Sequence, residues 1–131
     1  ISLAHTNAMN VLSMYALIGG YREEGHIWVD ELRQVLTENA DFACDFMEKH
    51  WEGVTVSRPQ GTYMLFVDCT RWCESHGKTL DEVLKMCHNV GAAVQDGRPF
   101  HGPCHIRMNL ALPTARVKEA FRRMDQYVFH A

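Results

Sequence analysis

Three things are scarce in this chain, and each absence closes off a class of function. The first is a membrane-length apolar run. The longest, near Met9 to Ile18, is interrupted by Asn10 and Ser13 and falls far short of the ~20 residues that a bilayer requires. No basic segment precedes it, so a signal peptide is not expected. The second is an excess of one charge. With 13 Lys and Arg against 16 Asp and Glu, the formal net charge is -3. Neither nucleic acid nor an anionic membrane is an expected partner. The third is cysteine pairing. Cys44, Cys69, Cys73, Cys87 and Cys104 are odd in number and irregular in spacing. That pattern argues against a disulfide framework and for reduced thiols in a cytoplasmic protein. A zinc cluster can be drawn through Cys69, Cys73, His76, Cys87, His88, His101, Cys104 and His105. No pair among them has the C-x2-C spacing of a structural site, and no metal is expected. Internal repeats and low-complexity linkers are missing as well.

What is present is an ordinary globular composition. The 131 residues are 47% apolar and 22% charged, about one domain's worth of chain. A chain of this length can bury roughly two-thirds of its unfolded surface. It begins with Ile1 rather than methionine and is expected to be an excised piece of a longer protein.

Two helices open the chain. From about Thr6 to Gly19 nearly every side is apolar, with Thr6 or Asn7 as cap and Gly19-Gly20 as terminator. A helix hydrophobic all round belongs inside a larger body, so its cover is expected from another domain or subunit. From about His26 to His50, Trp28, Leu32, Val35, Leu36, Phe42, Ala43, Phe46 and Met47 recur at spacings of three and four. This is the stripe of an amphipathic helix, a rod of roughly 37 Å at 1.5 Å per residue.

The remainder reads as ββαββα. Strands are expected at Val54 to Ser57 and Thr62 to Asp68, reversed by Arg58-Pro59-Gln60-Gly61. Thr79-Leu80-Asp81-Glu82 is a capping box. It starts a helix that points Leu80, Val83, Leu84 and Cys87 inward and ends near Gly91. A strand at Ala92 to Gln95 and a glycine- and proline-rich loop at Asp96 to Pro103 follow. A strand then runs from His105 to Ala111, and a helix at about Thr114 to Phe129 buries Val117, Ala120, Phe121, Met124 and Val128. Strands joined by a tight turn pair antiparallel. The class is α+β: a small antiparallel or mixed sheet with helices on one face, preceded by one apolar helix and one long connecting helix.

The most informative strand is His105-Ile106-Arg107-Met108-Asn109-Leu110-Ala111. Ile106, Met108 and Leu110 fall on one face, and His105, Arg107 and Asn109 on the other. A mid-strand guanidinium on a rigid element is costly without a partner. Such an arginine is usually solvated or salt-bridged. Its planar fork also matches a carboxylate in bidentate fashion. We read Arg107 as a candidate for binding the α-carboxylate of an amino acid. Asn109 shares its face and is expected to orient the guanidinium. Tyr63 is expected on the neighbouring strand as a core aromatic, with a hydroxyl within reach of the site.

Three stretches carry a resemblance. Pro59-Gln60-Gly61-Thr62-Tyr63-Met64-Leu65-Phe66-Val67-Asp68 resembles a strand pair of the fold-type I pyridoxal-phosphate enzymes. Val94-Gln95-Asp96-Gly97-Arg98-Pro99-Phe100-His101-Gly102 resembles a loop of that class, and His105 to Ala111 resembles its arginine-bearing strand. The order is similar to that of the class I/II aminotransferases, in particular their cystathionine β-lyase-like (C–S lyase) branch.

The resemblance implies that residues 1–25 are a remnant of the large domain or interface. Residues 26–131 would then be the small C-terminal domain with its linking helix. Arg107 sits where that family keeps its carboxylate-binding arginine. His5 and Thr6 would lie near a dimer interface and the neighbouring active site. His101 replaces the family's usual small residue in the loop, where it either faces substrate or is solvated. The resemblance further implies pyridoxal 5'-phosphate in the parent enzyme, an amino-acid substrate, a missing N-terminal large domain and a homodimer. The lysine that forms a Schiff base with the cofactor has no match. Lys49, Lys78, Lys85 and Lys118 all lack the context, so the piece alone is expected to be inactive and free of cofactor. The competing reading is a free-standing α+β module that binds an amino acid or a protein partner through Arg107.

Overall fold

A computed structural model describes residues 10–130. They form two compact units divided after Gln34, inside one helix. The first unit holds α1 (Val11–Gly20) and the start of α2 (Glu23–His50). Asn10 caps α1, its Oδ1 accepting the Ser13 amide at 2.9 Å. Thr6 and Asn7, the expected caps, lie outside the described residues. Gly25 approaches Gly20 so closely that a Cβ there would lie 2.9 Å from the Gly20 carbonyl carbon. None of α1 is buried. Trp28, expected on the covered stripe of α2, is exposed, because the described residues of this unit contain no further layer to cover it.

The second unit holds the rest of α2, β1 (Thr55–Val56), β2 (Met64–Asp68), α3 (Thr70–His76) and α4 (Leu80–Asn89). It continues with β3 (Gln95–Asp96), β4 (His105–Asn109), α5 (Thr114–Met124) and a π turn, Asp125–Phe129. The four strands pair antiparallel in the order β1-β2-β4-β3. The result is the expected small α+β domain.

The alternation read from β4 sets the two faces of the sheet. Ile106 and Met108 are buried opposite Val67 and Leu65 of β2. Each side chain of this size contributes roughly 1.5–3 kcal/mol when fully buried. Val83 and Cys87 of α4 and Val117, Phe121 and Met124 of α5 join the same core, with Ala43 and Met47 of α2. Trp51, just past α2, lies flat between Phe121 and Phe129, with ring centroids 5.2 and 4.0 Å away. Its Nε1 donates to Asp125 Oδ1 at 3.0 Å, which satisfies the polar end of a buried indole. The capping box is present, with the Thr79 amide donating to Glu82 at 2.8 Å.

Three expectations need correction. Helix α3 was not anticipated, because seven residues with two buried side chains, Trp72 and Cys73, are too few to display a helical period. Asp68 starts it, accepting the Thr70 amide at 2.8 Å, and Gly77 ends it with φ 60° in the left-handed region. Strand β2 begins at Met64 rather than Thr62, because the Met64 amide is held by Thr62 Oγ1 at 3.1 Å, a local bond that competes with the ladder. Strand β3 lies at Gln95–Asp96 rather than Ala92 to Gln95. The Ala92 amide donates to Cys87 O at the end of α4 and the Val94 amide to Ala92 O in a tight turn, each at 2.9 Å, so neither is free for the ladder.

Candidate functional site

The uncovered face of the sheet carries the candidate site. Strand β4 presents His105, Arg107 and Asn109 on it, opposite Asp68, Phe66 and Met64 of β2. Gln95 of β3 flanks Arg107 on the other side. The loop after β3 folds back over this face. The Gly97 amide donates to His105 O at 2.8 Å, and the short 3-10 turn Arg98–Phe100 follows. That turn places the Phe100 ring against Arg107, with the guanidinium carbon 3.8 Å from the ring centroid.

Arg107 differs from the other arginines in its surroundings. Arg33, Arg58, Arg98, Arg122 and Arg123 are each ion-paired with carboxylates. Arg22, Arg71 and Arg116 are exposed. Arg107 is half-buried and pairs with no carboxylate among the described residues. Two nearby acids are engaged elsewhere: Asp96 holds Arg98 at 2.7 Å, and Asp68 holds Thr70. A half-buried guanidinium over an aromatic face still has N–H donors available for a carboxylate or another acceptor.

Beside it, the His105 ring stacks on Phe66 with centroids 4.5 Å apart. Its Nδ1 is buried without a hydrogen-bond partner, 3.9 Å from Asp68 Oδ1. Burial works against ionisation of Asp68. The Thr70 hydroxyl and amide outweigh it and hold the carboxyl below its ordinary range. A cleft of about 470 Å³ runs along this part of the face, lined by Arg58, Thr62, Met64, Phe66 and His105.

The other expected site residues fall as follows. Asn109 Oδ1 accepts the Ala111 amide at 2.8 Å. It closes a local turn, and no bond to Arg107 is present among the described residues. Tyr63 is not a core aromatic. It precedes β2 and is 46% exposed, since the turn at Thr62 takes it out of the strand's alternation. His101 is exposed at the loop tip with φ 63°. His5 and Thr6 lie outside the described residues.

The five cysteines are free thiols, four of them buried. Burial pushes the Cys87 thiol up to about 12. Burial, with a hydrogen bond between the Cys73 and Cys104 thiols, does the same for Cys73. The thiolate is the nucleophile and metal ligand, so these are packing groups. No metal-holding cluster occurs among the described residues.

Sequence reasoning had not singled out Phe100 as the seat of the guanidinium, nor Asn39, a buried polar residue of α2. The latter left a signal: it lies four residues before Ala43 and eight before Met47, at a core position of the helical stripe.

Fold and site together define a small α+β domain that offers one unpaired arginine on the open face of its sheet. Residues 5–124 match the aminotransferase class I and II family, and the chain belongs to it, on the cystathionine β-lyase-like side. It is 34% identical over 122 residues to a cystathionine β-lyase of Corynebacterium glutamicum, which covers 90% of this chain and 30% of that protein. The fold resembles the PLP-bound C–S lyase of Staphylococcus hominis, with a TM-score of 0.78 at 23% identity over 94% of this chain and 33% of that one. It also resembles cystalysin of Treponema denticola, which contains pyridoxal 5'-phosphate, with a TM-score of 0.76 at 23% identity over 89% and 29%. The chain thus spans about a third of the length of these relatives.

Among the described residues no site for that cofactor is assembled around a lysine. Lys49 and Lys85 are exposed on helices, Lys78 pairs with Glu82 at 3.7 Å, and Lys118 lies 5.5 Å over the Phe42 ring. None stands on the face that carries Arg107.

Proposed function

We propose that this chain is the carboxylate-holding part of a pyridoxal-phosphate-dependent aminotransferase or carbon–sulfur lyase, with Arg107 as the group that binds the α-carboxylate of the amino-acid substrate. The observation that carries this reading is the state of Arg107. It is fixed at mid-strand, rests on Phe100, is the one half-buried arginine of the described residues, and has no acidic partner among them. Family membership supports the reaction class. In the parent protein the cofactor would be held by residues outside this chain and would supply an electron sink for bond-breaking at the substrate's α-carbon.

The part of this chain is orientation. Two parallel N–H···O bonds from the Arg107 fork fix the plane of the carboxylate, and with it the direction of the bonds at the α-carbon. A charge-assisted hydrogen bond contributes roughly 1.5–3 kcal/mol. Holding the reacting carbon in one geometry can lower the barrier by more than that. Asp68 lies on the same face and is held ionised, so a carboxylate arriving at the His105 end meets a like charge. At Arg107 it meets none.

The missing N-terminal large domain would supply the cofactor site, and two copies of the parent would form a homodimer. Residues 1–25 would belong to the large-domain or interface region and 26–131 to the small domain. The free thiols fit a cytoplasmic setting. No described helix is long and apolar enough to cross a membrane. In the full-length protein, Arg107→Ala should raise KM for amino acids by orders of magnitude while leaving the cofactor's absorbance intact. An unchanged KM would remove the assignment.

A further inference from the structure

We infer that Asn39 is a positioning residue for Arg107: it clamps α2 to the exit of β4 and thereby sets the affinity for the substrate carboxylate. The inference rests on the reading of Arg107 given above. Asn39 is the buried polar side chain of the described core. Its Nδ2 donates to two backbone carbonyls, Leu110 O at 3.0 Å and Leu112 O at 2.8 Å. Both belong to the segment immediately after β4.

That segment is tied at every point. The Leu110 amide donates to Tyr63 O at 2.9 Å and the Leu112 amide to Leu110 O at 2.8 Å. The Ala111 amide donates to Asn109 Oδ1 at 2.8 Å. Asn39 is the donor that joins this knot to a helix. Its amide has only one workable orientation, because turned over it would set Oδ1 against two carbonyl oxygens.

The two bonds contribute to stability, because without Asn39 the Leu110 and Leu112 carbonyls would lose a donor. Its own Oδ1 is buried with no partner. What the clamp fixes is register: the point where β4 leaves the sheet, three residues beyond Arg107, is held against α2. At the other end the Gly97 amide donates to His105 O at 2.8 Å and the Cys69 amide to Cys104 O at 2.9 Å. The strand that carries Arg107 is therefore pinned on both sides of it. A displacement of about 1 Å is enough to spoil a bidentate contact.

The test uses the full-length holoenzyme and two readouts: steady-state kinetics with an amino acid it turns over, and the inhibition constant of propionate, a carboxylate with no α-amino group. Asn39→Leu removes the donors and keeps the core packed. It should raise KM and the propionate constant about ten-fold while kcat stays within about three-fold. Asn39→Ala, which also removes the donors and needs no more space than the native side chain, should do the same and carries the measurement if the leucine variant does not fold. In an Arg107→Ala background, Asn39→Leu should add nothing to the propionate constant. If Arg107→Ala itself leaves propionate binding unchanged, the reading of Arg107 falls and this inference with it. If Arg107→Ala weakens propionate but Asn39→Leu does not, the inference alone is overturned. It is overturned also if Asn39→Leu weakens propionate equally in both backgrounds, since the residue then serves only the fold.

Discussion

Arg107 and Phe100 form a cation–π pair across the loop that precedes β4, with the guanidinium carbon 3.8 Å from the ring centroid. Phe100 is half-exposed, and exposed pairs of this kind contribute about 0.5–1 kcal/mol. Phe100→Ala in the full-length enzyme should therefore raise KM for amino acids about two- to five-fold through a loosened guanidinium. Phe100→Trp, which keeps an aromatic face, should stay near the unsubstituted value. Steady-state kinetics of the pair of variants checks this, and equal effects of Ala and Trp would refute it.

Arg107→Lys tests geometry rather than charge. The ammonium keeps the charge and loses the fork. The substitution should recover less than a tenth of the carboxylate affinity lost in Arg107→Ala. Titration with propionate reads this directly, and full recovery would mean that charge alone suffices.

Gly102 is required by space, not by backbone conformation. A Cβ there would meet the Phe66 ring and would lie 2.6 Å from His105 Cβ, in the stack beside Arg107. Gly102→Ala should destabilise the domain by about 1–3 kcal/mol, the usual range for overpacking. Gly61→Ala, with nothing within 4 Å, should stay within about 0.5 kcal/mol. Denaturant unfolding of both variants gives the comparison.

Acid should reveal the Glu119 cluster. Hydrogen bonds from Arg122 and then Arg123 hold its carboxyl at about 2, against an ordinary value of 4.5. A carboxyl lowered in the folded state stabilises it above the unfolded value, and that contribution disappears as pH falls through the folded one. The unfolding midpoint in urea should thus drop between pH 4.5 and about 2, and Glu119→Gln should flatten that limb. An unaltered slope would show that the three side chains are not coupled in solution.

Much of this arrangement was legible in the chain. Ile106 and Met108 alternate with Arg107 in a short strand whose two faces differ in solvation, so period two separates core from site. Thr79 and Glu82 mark the start of α4 by a local pattern that needs no tertiary knowledge. The losses have physical causes. Helix α3 is shorter than two helical periods. Tyr63 leaves the strand because Thr62 captures an amide. Phe100 reaches Arg107 only through the path of a loop, and loops have no period to read. Asn39 was visible as a polar residue on an apolar stripe, but its partners Leu110 and Leu112 lie more than seventy positions away, and no local rule connects them.

The outer strands β1 and β3 are two residues long each. Unfilled backbone donors and acceptors on a sheet's border invite another molecule to add on, and the invitation grows with their number. With borders this brief, the described sheet offers a template too small for edge-to-edge growth of fibrils.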